Sequence, residues 1–326
     1  MKKTVALLMV LALAFGAVAC GGGGGGSTGT TQTQLSMVTG GESGTYYAYG
    51  GMIASVISEA LGNVAITAST SGASAANARS INKKDADLAL LQNDVLDYAY
   101  NGIEGFVDDG KLQNVAAIGT LYPEVIQIVA TDASGITSVA DLAGKRVSVG
   151  DLGSGVEANA RQILDIYGMS YDDLGKVEYL GFGDSSTAIQ QMTIDAAFVT
   201  AGVPNPAIME LNTTVAVHLV PVNGAEADAL IAKYPFYAKY NVDADAYEGK
   251  AGLAGVETVA ILATLACNKE LDEEIVYQIT KTLFESKDKI NHDKAKLLSP
   301  EAAVQGLSIP FHPGAEKYFK EVGVLQ

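Results

Sequence analysis

The sequence predicts an α/β protein of two lobes, joined by two hinge strands, with a cleft between the lobes. Three observations predict it. Apolar runs of strand type alternate with helical periods along the chain, the pattern of a parallel sheet covered by helices. Two successive series follow one plan: strand, Gly/Ser-rich loop, helix. Two extended apolar segments, 125–131 and 258–267, flank the second series, as expected if the chain leaves the first lobe along one and returns along the other.

The first series opens with a strand over 35–38 and the loop Thr39-Gly40-Gly41-Glu42-Ser43-Gly44-Thr45. A helix follows, because Ile53, Val56, Ile57, Ala60 and Leu61 recur at i, i+3, i+4, i+7 and i+8. Gly62-Asn63 stops it. Next come strand 64–68, helix 73–81, strand 88–91, a helix near 95–100 and strand 115–118. The second series starts near Ser138, with strand 145–149 and the loop Gly150-Asp151-Leu152-Gly153-Ser154-Gly155-Val156-Glu157. Helix 158–167, strand 177–180, helix 186–192 and strand 196–200 follow, and helix 273–287 finishes the first lobe. The lobes are then 35–130 with 256–326, and 131–255.

The N-terminus reads as an export signal. Lys2 and Lys3 precede an apolar run over 5–19, shorter than the roughly 20 residues of a membrane span. The run ends Ala17-Val18-Ala19-Cys20, which resembles the lipobox of bacterial lipoproteins. That resemblance implies cleavage before Cys20, lipidation of its thiol and a membrane-held protein. Residues 20–34 carry a Gly/Ser/Thr tract that behaves as a flexible tether. Loss of residues 1–19 makes the net charge two units more negative than the full chain's −16. Such an acidic body argues against nucleic acid as partner. With Cys20 acylated, Cys267 has no disulfide partner, and its apolar surroundings make it a packed core thiol.

Enzyme motifs are missing. Gly181-Phe182-Gly183-Asp184-Ser185-Ser186 does not complete a dinucleotide fingerprint, Gly144-Lys145-Arg146 lacks the rest of a phosphate loop, and no nucleophile elbow occurs. His218, His292 and His312 have no ligand spacing, so neither a metal nor a cofactor is expected.

Several stretches together resemble the TAXI solute receptors of tripartite ATP-independent periplasmic (TRAP) transporters. They are Thr39 to Tyr47, Gln92-Asn93-Asp94, Gly153 to Ala160, Asp195 to Pro204 (which includes Gly202), and Ile309 to Ala315. The resemblance covers nearly everything from Leu35 on. It implies a type II periplasmic-binding-protein fold, capture of a small carboxylate in the interlobe cleft, and delivery to TRAP membrane subunits driven by an ion gradient. Relatives of that kind take glutamate, glutamine or dicarboxylates. One departure is Val156, where the family often has Thr. Another is the lipobox, since many relatives are freely soluble. A receptor feeding a membrane sensor, or an enzyme on the same fold, would share these features.

The site expected from the residues lies at three Gly/Ser helix starts: Gly41, Ser43, Gly44 and Thr45; Ser71 and Ser74; and Ser154, Gly155 and Val156. Helix starts offer unpaired backbone N–H groups and the positive end of the helix dipole, which suit a carboxylate. Such starts are also ordinary capping chemistry, so no single loop identifies a site. Tyr46 or Tyr47 can add a phenol and a flat wall, and Asn77 and Gln92 an amide. The chain has three arginines. Arg79 and Arg161 fall on helices away from their starts, and Arg146 enters a strand and is expected to face solvent. An Arg clamp on the ligand is therefore not expected. Glu42 and Glu157 would repel an anion, bind a ligand ammonium, or stabilise a helix start.

Overall fold

The computed structural model describes residues 32–326, so the expected signal peptide, Cys20 and most of the expected tether lie outside the described residues. The chain runs through strand β1 (Thr33–Val38), helix α1 (Thr45–Leu61), strand β2 (Val64–Ser69), helix α2 (Ser74–Lys83), strand β3 (Leu88–Gln92) and helix α3 (Asn93–Asn101). β1 begins two residues before the expected strand because Thr33 and Gln34 pair with Val64 and Ala65. Gly62 ends α1 with φ 67°, a conformation that costs glycine nothing.

Strand β4 (Val115–Thr131) carries the chain onward. The sequence suggested two separate extended stretches here; they are one strand running straight through Pro123. The second series comprises β5 (Arg146–Ser148), α4 (Gly155–Ile166), β6 (Lys176–Glu178), α5 (Phe182–Gln190) and β7 (Ala196–Ala201). It continues with α6 (Pro206–Leu211), β8 (Val217–Val220), α7 (Gly224–Lys233) and β9 (Ala238–Asn241). β10 (Glu257–Asn268) brings the chain back, and α8 (Glu273–Glu285), α9 (Pro300–Ala303) and α10 (Pro313–Glu321) follow.

The strands form one mixed sheet in the order β2-β1-β3-β10-β4-β7-β5-β6, with β8 beside β4 and β9 beside β10. β1 is parallel to β2 and β3, and β5 to β6 and β7. The two crossing strands are antiparallel neighbours, paired from Ala260↔Val125 to Asn268↔Val115. β10 pairs with β3 near its end and with β9 near its start. β4 pairs with β7 and β8 only in its second half.

Burial divides at the same places. Tyr49, Ile53, Leu90, Tyr122, Ala263, Leu265 and Phe319 share one core, and Ile81, Leu91, Phe106 and Ala266 fill the opposite face of that half-sheet. Ile126, Val147, Ile163, Phe198 and Ile261 belong to a third cluster, and Val125, Val129, Ile189, Leu219 and Ala260 to a fourth. Core membership thus changes between Tyr122 and Val125 on β4 and between Ile261 and Ala263 on β10. Two lobes, each with its own apolar interior, meet at this double-stranded hinge. Cys267 is fully buried in the first core, which pushes its thiol pKa up and keeps it unreactive.

Arg146 keeps a partly exposed side chain, as expected, and also makes an ion pair. Its Nε and Nη2 hold the two oxygens of Asp195 at 3.0 and 2.6 Å, because β5 enters the sheet beside the start of β7. This Arg146 contact is the leading cause of Asp195 being held below the usual carboxylate range.

Candidate functional site

Four helices start where four parallel strands end. α1 follows β1, α2 follows β2, α4 follows β5 and α5 follows β6. In open α/β sheets the crevice beyond the carboxyl ends of the strands is where small ligands bind. Here the two lobes supply two such ends each, and all four helix starts wall one cavity of about 320 Å³. The first lobe contributes Gly44, Thr45 and Tyr46 from the start of α1, and Ala73 and Ser74 from the start of α2. The second lobe contributes Ser154, Gly155 and Val156 from α4, and Gly181, Phe182 and Gly183 from α5.

The capping pattern leaves donors free. Gly44, Ala73 and Gly181, at the caps of α1, α2 and α5, provide no side-chain hydrogen bond to the first turn. Ser154 Oγ accepts from Glu157 N at 3.2 Å, and its hydroxyl proton remains free to donate to a ligand. Ala73 holds φ 61° and ψ −150°, a conformation that costs a side-chain-bearing residue about 1–3 kcal/mol and that concentrates at functional sites.

The cavity is otherwise acidic. Glu42, Glu124, Asp151 and Asp184 line it, and among the described residues lining it there is no Lys, Arg or His. Glu124 sits on β4 at the point where the lobes change over and is 2% exposed. Tyr46 Oη donates to Glu124 Oε2 at 2.5 Å. Burial raises the Glu124 pKa to about 8, with Asp94 adding to the rise and Tyr46 and Lys294 opposing it. Burial also raises Asp151, aided by the nearby charge of Asp184.

Behind the cavity a buried polar network joins the lobes. Asn159 of α4 uses its full capacity: Nδ2 donates to Asp94 Oδ2 (3.2 Å) and Tyr237 Oη (2.8 Å). Its Oδ1 accepts from Gln92 Nε2 (3.1 Å) and Thr200 Oγ1 (3.0 Å). Gln162 Nε2 donates to Tyr98 Oη at 3.1 Å and Gln162 Oε1 accepts from Tyr237 Oη at 2.7 Å. Gln92, Asp94 and Tyr98 belong to the first lobe; Asn159, Gln162, Thr200 and Tyr237 belong to the second. Burial raises Asp94 to a pKa of about 7. Further contacts cross the cleft: Gly202 N donates to Thr45 Oγ1 at 3.2 Å, Arg161 pairs with Glu104 at 3.0 Å, and Lys294 Nζ donates to the Val203 carbonyl.

Of the residues selected from sequence, Gly41, Ser43, Gly44, Thr45, Tyr46, Ser74, Gln92, Ser154, Gly155 and Val156 come together on this wall. Four lie off it. Tyr47 faces solvent, because α1 turns Tyr46 and Tyr49 inward instead. Ser71 Oγ accepts from Ala73 N and shapes its own turn. Asn77 Nδ2 donates to the Thr39 carbonyl just past β1 and to the Leu90 carbonyl of β3, tying α2 to both. Gly202 is held against Thr45 and packs close to the Lys294 side chain. Glu124, Asp151, Thr200 and the start of α5 are site components that the sequence reading did not select. Glu124 had a visible signal, a carboxylate amid the apolar run of β4.

The arginines stand apart from this cavity. Arg79 pairs with Asp109 at 2.7 Å and Arg161 with Glu104. Both line a second hollow of about 410 Å³ that shares Ser154 with the first.

Residues 37–323 match the model of the NMT1-like family. The fold is similar to that of the alkanesulfonate-binding protein SsuA from Xanthomonas axonopodis pv. citri bound to MOPS, at 16% identity and TM-score 0.52, covering 91% of this chain and 80% of that one. It is also similar to PhnD1 from Prochlorococcus marinus in complex with methylphosphonate, at 10% identity and TM-score 0.53, covering 82% of this chain and 88% of that one. A protein of Bordetella bronchiseptica matches at 14% identity and TM-score 0.53, over 91% and 90% of the two chains. The architecture is therefore the two-lobed α/β fold of periplasmic binding proteins.

Proposed function

The chain belongs to the NMT1-like family, and from that premise we propose that it is an extracytoplasmic solute-binding protein that captures a small carboxylate between its lobes. The observation that carries this reading is the meeting of four helix starts, two from each lobe, on one cavity. Unpaired N–H groups and positive helix ends favour a carboxylate there without a formal cation. Glutamate is the first candidate, with glutamine or a dicarboxylate next. The site consists of the Gly41–Thr45 turn, Tyr46, Ser74, Gln92 and the Ser154–Val156 turn, with Glu124 added to it. The TAXI-like motifs support delivery to TRAP membrane subunits, and the lipobox supports a lipid on Cys20 that holds the protein at the membrane.

Closure on the ligand would bend the β4–β10 hinge. Stripped protein is titrated with L-glutamate, glutamine and succinate by calorimetry, and small-angle scattering is recorded with and without ligand. One site per chain and a smaller radius of gyration with ligand are expected. Saturable binding with no change in radius would refute closure, and no binding of any of the three would refute the carboxylate reading.

A further inference from the structure

The cavity presents two opposed chemistries. Helix starts on both lobes favour negative charge, whereas one deeply buried carboxylate, Glu124, forms part of the wall on the hinge strand itself. Among the described residues its carboxyl accepts from Tyr46 on Oε2, has the Tyr122 phenol close by, and makes no ion pair. A buried carboxyl so sparsely held is costly unless it stays neutral or meets a cation. Among the described residues no cation is paired with it. Tyr46 of α1 and Tyr122 of its own strand are neutral phenols, and Asp94 of α3 is another acid. Lys294, from the helical turn Asp293–Leu297, acts on Glu124 through its charge but makes no ion pair with it, and its Nζ donates to the Val203 carbonyl. Asp151 and Asp184 also line the cavity, but both keep far more contact with water than Glu124.

We propose that Glu124 is the amine-recognising residue of this cleft: the ligand's carboxylate lies at the helix starts and its ammonium on Glu124. This rests on the carboxylate reading above and narrows it from carboxylates in general to zwitterions of the amino-acid class. A plain dicarboxylate would leave Glu124 without a cation and add charge beside Asp151, Asp184 and Glu42. The same geometry links binding to a proton. With a pKa of about 8 in the empty cleft, Glu124 is mostly protonated at pH 7, and an arriving ammonium favours its charged form. Binding therefore releases close to one proton per ligand at pH 7, and affinity rises with pH until Glu124 is ionised in the empty protein.

The test is calorimetry on stripped wild type and Glu124→Gln with L-glutamate, glutarate (the same carbon chain without the amine) and n-pentylamine, in phosphate and in Tris at pH 7. Glutamate is expected to bind wild type at least tenfold more tightly than glutarate, with a buffer-dependent enthalpy that reports the released proton. Glu124→Gln should lose tenfold or more for glutamate, lose the buffer dependence, and leave glutarate unchanged or improved. Circular dichroism checks that the variant is folded. Should it not fold, the wild-type buffer dependence and the glutamate-to-glutarate ratio decide alone. Equal binding of glutamate and glutarate without proton release overturns the Glu124 assignment and leaves the carboxylate reading standing. Pentylamine binding as tightly as glutamate, and lost in the variant, upholds Glu124 and overturns the carboxylate reading. No binding of any probe to wild type overturns both.

Discussion

Gly155 of α4 lies against the Gln92 side chain of the other lobe, and that contact makes closure separable from folding. A Cβ added at Gly155 would stand 1.9 Å from Gln92 Oε1 and 2.2 Å from its Cδ. An ordinary carbon–oxygen contact needs about 3.3 Å, so Gly155→Ala must push the amide away by more than an ångström. Gln92 is 2% exposed and its Nε2 is tied to Asn159, so it has nowhere to go without breaking that bond. Leaving a buried polar partner unsatisfied costs about 1–3 kcal/mol, which converts to a loss of about 5- to 150-fold in affinity. The penalty falls on the closed arrangement. The open lobes keep their own cores, and Ala in place of a helical Gly favours the helix by up to about 1 kcal/mol. Calorimetry with L-glutamate should therefore show weakened binding while the melting midpoint of ligand-free protein holds or rises. In a Gln92→Ala background the added methyl has room, and the second substitution should cost little. Unchanged affinity in Gly155→Ala would refute the closure contact. An equal loss in both backgrounds would show that the methyl strikes the ligand itself.

Ser154→Ala should weaken carboxylate binding about tenfold, the size of one hydrogen bond to a charged group, and lower stability by about 1 kcal/mol through the lost cap of α4. Arg79→Gln and Arg161→Gln should change affinity by less than about threefold in the same calorimetry, since both make partly exposed ion pairs outside the first cavity; silence of Ser154→Ala with loss in either arginine variant would favour an Arg clamp. Asp94, raised to about 7 by burial, keeps a proton in the folded state that the unfolded chain gives up near its ordinary value of 3.8. Stability therefore falls as pH rises from about 4 through about 7, and urea unfolding of Asp94→Asn should show a flatter dependence across that window, its slope and not its level being the test. Incorporation of labelled palmitate should be seen in wild type and lost in Cys20→Ser; equal labelling would refute the lipobox reading.

The lobes were legible because their elements have strong periods. β3 and β7 are short, fully buried runs, β1 and β2 alternate buried and less buried positions, and helices such as α1 carry one apolar face. The hinge was legible in part. Pro123 divides the run 115–131, so the sequence suggested two pieces where hydrogen bonding to β10 makes one, and Glu124 fell into the gap between them. α6, β8 and β9 were missed because they are short, and β9 is largely exposed and lacks an apolar pattern; α7 was missed although it is as long as α2, since only Ala227 and Leu230 of it are buried. The start of α5 was placed late, since Gly181 and Gly183 argue against a helix that the fold nonetheless begins at Phe182. Asn77 and Asn159 show a different limit. Both are buried amides on helices; one ties its helix to β3 and to the residue just past β1, the other joins two lobes, and only the neighbours brought by the fold separate these roles from ligand contact.

The strand that completes the first lobe arrives very late in the chain. β3 waits with one edge open until residues 263–267 are made, and those residues pair with Leu88 to Gln92. Everything in the second lobe up to β9 emerges in between. Long-range pairing of this kind slows folding, because a large loop must close before the contact can form. Until β10 is made, β3 keeps an unsatisfied edge, a surface on which another strand can dock. The same late strand contributes Val259 and Ile261 to the second lobe's core. A chain cut short before β10 would lack the finishing strand of both lobes, so neither would survive as an independent half.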